Sequence, residues 1–387
     1  MSTDDEFLKE VRLLQVWLIE DAYPVWWRDG ADHVRGGFHE RLAFDGLATD
    51  EPRRARLHPR QIYSFAVAKE LGWQGPAEEA VKHGAEYFIG HYFRSDGLVR
   101  TLVDVNGKAV DESAVLYDQT FALLGFASAF EKLRDERWLE HARSLRNEIV
   151  AAFGRPIGFE ERLNRSPPLL ANSHMHLLEA CLAWRELDDK GWYDIASNIV
   201  ELAIDRLLHP QTHVITEFFD HDWKPMTNES GRLIEPGHLF EWGWLLLRWA
   251  AASRDGPLER HALRLIDVAE HGVHSQRQVA MNGLALLGDT LVVRDARARL
   301  WPQTERIKAL VLAGRMTSDS RYIVGATRAL RTLREYLKVP TRGLWRDMMN
   351  ADGSFVTEPA PASSLYHIVA AARECARYLK ARTVVSR

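Results

Sequence analysis

Short and long gaps alternate between the helical segments of this chain, and that alternation constrains its fold more than any other feature. Apolar residues at a period of 3.6 mark about twelve helices. They fall at residues 5–27, 58–71, 76–91, 113–133, 136–152, 172–187, 189–209, 236–253, 257–272, 300–313, 318–338 and 363–380. The gaps Gly72–Gly75, Arg134–Asp135, Asp188, Arg254–Gly256 and Gly314–Thr317 are short enough to force antiparallel neighbours. The gaps Arg28–Leu57, Tyr92–Glu112, Phe153–Ala171, Pro210–Glu235, Val273–Arg299 and Val339–Ala362 are long. Long loops that recur in a compact domain are usually functional.

Each long gap leads into a helix whose first turn is polar. These openings lie near Pro59, Ser113, Asn172, Pro236, Pro302 and Ser363, about every 60 residues. Proline suits an opening turn, where its missing N–H has no helical partner, and Asn172 or Ser173 and Ser363 or Ser364 are plausible caps. Some long gaps carry hairpins. Leu98–Val105 and Lys108–Val110 flank Asn106-Gly107, and Leu344–Met349 and Ser354–Val356 flank Asp352-Gly353. The pattern predicts an all-α fold, an (α/α)6 barrel of six helical hairpins, with long loops and short hairpins on one rim. Because the repeat spans the chain, residues 1–387 are expected to form a single domain. In such a ring the helices after long loops are the inner ones, and their six openings meet at one end.

Composition removes several function classes. A net charge of -4 offers no polycation for nucleic acid. The most apolar helix, around Trp242–Ala252, is broken by Arg248 and is too short for a bilayer. The opening residues Met1–Glu6 are acidic rather than signal-like, so a cytoplasmic location is expected. The two cysteines, Cys181 and Cys375, lie far apart within apolar helical patterns and read as reduced core thiols. The chain carries no GxxxxGK[ST], GxGxxG after a strand, HExxH, CxxC pair or GxSxG. Nucleotide, metal and acyl-serine chemistries therefore have no support, and neither a metal nor another cofactor is expected.

The openings deliver a specific set of side chains: Arg60, Tyr117 with Asp118, Asn172 and His176, His238 with Glu241 and Trp242, Trp301 with Glu305, and His367. Asn172 and His176 share a helix face at i, i+4. His174 and His176 are about 200° apart and cannot chelate one ion together. A lone histidine here is more often a hydrogen-bonded packing residue than a catalyst. His238, Glu241 and Trp242 lie at i, i+3 and i+4, where a carboxylate beside an imidazole raises its basicity. Trp301 and Glu305 pair a ring with a carboxylate. A glutamate at this position also serves the helix dipole, whereas the cation Arg60 suits it poorly and implies a further partner. Histidines with acidic and cationic helpers are equipment for moving protons beside a carbonyl.

The segments NSHMHLLEA (Asn172–Ala180), EPGHLFEWGWLL (Glu235–Leu246) and LWPQTE (Leu300–Glu305), with Arg60–Tyr63 and Tyr366-His367, resemble the N-acylglucosamine 2-epimerase superfamily. The likeness runs from Trp26-Trp27 and Gly36-Gly37-Phe38 to His367. It implies an (α/α)6 barrel and a metal-free passage through an enediolate. By that resemblance His238 and His367 form the acid/base pair, and Glu241 supports His238. Arg60, Asn172, His176 and Glu305 hold hydroxyls and polarise oxygens. Cellobiose-directed relatives carry a tryptophan before a Pro-Tyr-His motif. Here Glu358–Leu365 has none, leads into Leu365-Tyr366-His367, and leaves Trp345 as the available substitute.

The expected activity is aldose–ketose isomerisation of a monosaccharide, mannose to fructose in the first instance. Reprotonation at C2 from the opposite face would make the same site a 2-epimerase of mannose, cellobiose or N-acylglucosamine type. A glycoside hydrolase on the same toroid would instead need two carboxylates, for which Asp118 with Glu241 or Glu305 are candidates. A toroid that binds sugar without turnover is a third reading. No nucleic-acid or membrane partner is expected, and self-association into a homo-oligomer is left open.

Overall fold

The computed structural model describes residues 3–187 and 191–385. The expected turn at Asp188 and the helix start at 189 fall outside them, as does Met1. The first expected helix is three pieces in line: α1 (Thr3–Trp17), a π turn (Leu18–Ala22) and α2 (Tyr23–Arg28). Pro24 has no N–H to offer the preceding turn, and the wider π turn absorbs that loss. The following helices are α3 (Leu57–Leu71), α4 (Ala77–Tyr92), α5 (Leu116–Leu133), α6 (Glu136–Phe153), α7 (Ala171–Arg185) and α8 (Trp192–Leu202). They continue as α9 (Pro236–Ser253), α10 (Gly256–Ala269), α11 (Leu300–Thr317), α12 (Ser320–Tyr336) and α13 (Ser364–Val385).

The ring is closed. α3 packs on α5, α5 on α7, α7 on α9, α9 on α11, α11 on α13, and α13 back on α3. These inner helices are buried on nearly every side, walled in by their neighbours. Outside them, α4, α6, α8, α10 and α12 each pack against the inner helix that precedes them. Their amphipathic faces turn water-soluble residues outward. The sixth pair is made by the two ends of the chain: α1 lies against α13 and α12, with Phe7 edge-on to Tyr378 at 5.3 Å. The architecture is an (α/α)6 barrel.

The strands form small sheets of two or three short strands in the long loops, including Arg41–Leu42 with Ala360–Pro361 and Ala298–Arg299 with Met348–Met349. The hairpin around Asn106-Gly107 is present as Leu102–Val103 with Ala109–Asp111. The longest one, Gly283–Leu287 with Thr290–Asp295, falls in a loop for which no strand was expected. Another expectation is corrected at the α11–α12 turn. Gly314–Thr317 is helical, and the chain turns at Ser318 (φ 61°) and Asp319. Gly314 does not end the helix; it lets α12 approach, since a Cβ there would stand 2.7 Å from Ile323 Cδ1.

Side chains in the first turns of the inner helices clip the loops in place. Gln119 accepts from Val99 N and donates to Val99 O, both at 2.8 Å. Gln303, four residues into α11 as Gln119 is into α5, does the same to Ala280 at 2.8 and 2.9 Å. His174 Nε2 accepts from Phe159 N at 2.9 Å, and His58 Nε2 from Phe38 N at 3.1 Å. Burial pushes His174 down to about 4, so it stays neutral and able to accept. Asn172 caps nothing: it is the second residue of α7, which follows Leu170 directly.

Candidate active site

All six inner-helix openings border one cavity of about 330 Å³ at the rim that carries the long loops. Arg60, Tyr117, Asn172, His176, His238, Glu241, Trp301 and His367 line it. Arg41, Arg54, Arg56, Glu235, Arg299, Asp347 and Glu358 complete much of its wall. The inner helices point their N-terminal ends here, and the positive ends of their dipoles favour oxyanions.

His238 projects from the first turn of α9. Its Nδ1 lies 2.9 Å from Glu217 Oε2, whose other oxygen accepts from Glu235 N at 3.2 Å. Burial opposes protonation of His238, but the negative charges of Glu217, Glu235 and Glu241 outweigh it and raise the imidazole to about 9. Glu241, the expected support, adds its charge, but the hydrogen bond to Nδ1 comes from Glu217. Glu217 comes from the α8–α9 loop, held by Glu217 N donating to Leu233 O and Ala171 N donating to Glu217 O. Gly237 lets Trp301 lie against this turn, since a Cβ would stand 2.5 Å from the indole. The ring centroids of Trp301 and His238 are 4.9 Å apart.

His367, on α13, faces Trp301 from another side at 5.8 Å between ring centroids. Its Nδ1 is 2.8 Å from Glu305 Oε1. Burial, then the charges of Arg60, Lys308 and His176, hold it well below the ordinary imidazole value. Glu305 itself is fully buried and does not reach the cavity. Burial raises it to about 7 against the pull of Lys308 Nζ, 2.5 Å from Oε2.

His176 Nδ1 is 3.3 Å from Glu179 Oε2 and 3.8 Å from Glu241 Oε1. Burial and the charge of Glu305 raise Glu241, whose two oxygens have no hydrogen-bond partner among the described residues. Glu179 is held low: burial alone would raise it, but the His176 hydrogen bond and Lys308 prevail. Its other oxygen accepts from Tyr366 Oη. One atom each of His176, Glu179 and Glu241 lie within 4.8 Å of one another, close enough to share an ion. Lys308 Nζ, 3.9 Å from Glu241 Oε1, already supplies positive charge there.

Arg60 donates to Tyr117 Oη at 3.0 Å and lies over the Phe121 ring at 4.1 Å, so its partners are partly internal. Besides Glu305, two of the expected residues stand apart from the cavity. Asp118 is fully buried and pairs with Arg56 at 3.2 Å, holding that arginine at the wall. Trp242 is fully buried in the helix packing. Spacing of i, i+4 assigns a common face but not which neighbour that face meets. Glu217, Glu179 and Lys308 were not anticipated. Glu179 and Lys308 had a legible signal, each three residues beyond a candidate on the same helix, whereas Glu217 sits in a loop without periodicity.

A model of the N-acylglucosamine 2-epimerase family matches residues 36–371. The chain belongs to that family. It is a sugar isomerase or epimerase, as are its relatives. A Rhizobium meliloti (strain 1021) family member named mannose-6-phosphate isomerase is 43% identical over 374 residues, covering 94% of this chain and 96% of the relative. A Thermobifida fusca protein named D-mannose isomerase is 27% identical, covering 80% of this chain and 83% of its own. The solved structure of cellobiose 2-epimerase from Spirochaeta thermophila DSM 6192 superposes with a TM-score of 0.86 at 18% identity, over 97% of this chain and 98% of that one. That last likeness speaks for the fold alone. No described helix is long and apolar enough to cross a membrane.

Proposed function

We propose that this enzyme interconverts D-mannose and D-fructose without a metal, with His238 and His367 as the acid/base pair. The observation that carries the reading is that one cavity holds two histidines pushed to opposite protonation states. His238 is raised to about 9, burial being outweighed by Glu217 and its acidic neighbours, so it is an acid at neutral pH. His367, lowered by burial and by Arg60, Lys308 and His176, is a base. Environments that drive two titratable groups apart divide the acid and base roles between them. In each ring a carboxylate takes Nδ1 and leaves Nε2 for the sugar.

In the open-chain aldose, His367 takes the proton from C2 while His238 gives its proton to O1 and Arg60 stabilises the charge that develops there. The carbon–oxygen double bond moves from C1 to the C1–C2 bond of the enediol. His367 returns its proton to C1 and His238 takes up the O2 proton, which gives the ketose and restores both imidazoles, so atoms and charge balance. Asn172, His176 and Glu241 supply hydroxyl contacts, and Trp301 offers its ring to the apolar face of the sugar.

The mannose configuration is favoured because relatives named D-mannose isomerase and mannose-6-phosphate isomerase match across most of this chain. A monosaccharide is favoured because Trp345, a candidate substitute for the missing stacking residue, is fully buried and stacks on Trp26 at 4.9 Å. Unphosphorylated sugar is favoured because most of the wall arginines already face carboxylates. Arg54 meets Glu40 and Arg299 meets Glu235, each at 2.6 Å, and Arg56 meets Asp118. The second reading is a 6-phosphorylated mannose, which the name of the Rhizobium relative favours. Incubation with mannose, mannose 6-phosphate, cellobiose and N-acetylglucosamine, with products separated by chromatography, tests the proposal. Fructose from mannose at the highest kcat/KM supports it; a higher value on any of the other three replaces the substrate.

A further inference from the structure

Beneath the cavity, at the centre of the barrel, lies a fully buried lysine that the chemistry above does not use. Lys308 is three residues beyond Glu305 on α11, and its Nζ stands 2.5 Å from Glu305 Oε2. Glu241 on α9 is 3.9 Å away, and the ammonium lies over the Trp244 ring at 4.1 Å. Glu179 on α7 adds a third negative charge. On the other side of this group stand His176 on α7, Arg60 on α3, and Tyr366 with His367 on α13. Burying an ammonium is costly, and an apolar residue of equal volume usually leaves a core no less stable. A lysine kept here therefore calls for a role other than packing.

Glu305 supplies that role, since its two oxygens point to different partners: Oε2 to Lys308 and Oε1 to His367 Nδ1 at 2.8 Å. We propose that Lys308 is a positioning residue that keeps Glu305 ionised and turned so that Oε1 holds the His367 Nδ1–H and Nε2 stays bare towards the sugar. Lys308, Glu305 and His367 then form a relay running from the barrel core to the reacting carbon. Without the ammonium, Glu305 loses its counter-charge in a buried setting and takes up a proton more readily. The charge that discourages protonation of His367 is lost as well. Both changes act in one direction: the Glu305–His367 pair binds its proton at higher pH.

The inference rests on His367 being the base, so its test includes a readout independent of turnover. Imidazole ¹³C resonances are followed against pH in the full-length wild type and in Lys308→Met, with His367 assigned from His367→Asn. The expected result is an upward move of the His367 transition by about one to three pH units, with the same move in the acid limb of kcat/KM on mannose. An unchanged His367 transition overturns the proposal whatever happens to turnover. A moved transition supports it even in a protein that fails to convert sugar, a failure that counts against the isomerase reading instead. Should Lys308→Met not fold, Glu305→Gln is compared with the double variant Lys308→Met/Glu305→Gln. If Lys308 positions His367 through Glu305, the second substitution changes kcat/KM on the pH plateau above the acid limb by less than about twofold; a further loss of about tenfold there overturns the relay.

Discussion

Glu217 Oε2 lies 2.9 Å from His238 Nδ1, while Glu241, on the same helix as that histidine, turns towards His176 and Lys308. The imidazole is thus governed by a carboxylate from a loop rather than by its helical neighbour. In Glu217→Gln the main charge that overcomes burial is gone, and the value near 9 falls. An acid works only below its own pKa. The basic limb of the kcat/KM profile therefore moves to lower pH, by about one to three units. Glu241→Gln, measured alongside, moves that limb less.

Either histidine should be indispensable to turnover but not to folding. General acid–base catalysis contributes about 10²–10⁴-fold, so His238→Asn and His367→Asn are each expected to lower kcat by that range. Circular dichroism and Tm should stay near wild type. Near-normal turnover in both variants would transfer proton movement to another group in the cavity and undo the acid/base assignment.

Activity is expected to persist after exhaustive chelation. Lys308 supplies positive charge where His176, Glu179 and Glu241 come together. Dialysis against a strong chelator, followed by metal analysis and assay, checks this. Loss of turnover with a stoichiometric metal, restored when it is returned, would call for a Lewis-acid step.

The loop clips give a stability prediction separate from catalysis. Gln303 is fully buried and serves Ala280 N, Ala280 O and Arg299 O. Gln303→Leu leaves those groups without their partner, at about 1–3 kcal/mol for each that water cannot reach. Denaturant unfolding should register the loss. A change within about 0.5 kcal/mol would mean that the loops hold without the clip.

The barrel was legible because hairpin connections are short and rim loops long, a contrast set by chain geometry before any side chain is considered. Its openings were legible for the same reason: a first-turn residue of an inner helix can reach little except the mouth of the ring. Arg60, Tyr117, Asn172, His176, His238, Trp301 and His367 all line the cavity. What spacing leaves open is which side of an inner helix meets a neighbouring helix and which meets the barrel axis. Asp118 and Trp242 turned away from the cavity for that reason, and Glu305 withdrew behind His367. Glu217 lay out of reach because a loop brings it in, through backbone bonds to Ala171 and Leu233 that no periodicity announces.

The central claim is that a proton leaves C2 of the sugar and passes through a histidine. Mannose incubated with the enzyme in deuterated water, followed by proton and deuterium NMR, tests it most directly. Solvent-exchanging imidazoles should place deuterium at C1 of the fructose formed and at C2 of recovered mannose. Both signals should vanish in His367→Asn. Fructose without deuterium at C1, beside recovered mannose without it at C2, would mean that the hydrogen passed between the two carbons without meeting an exchangeable group, which contradicts the account.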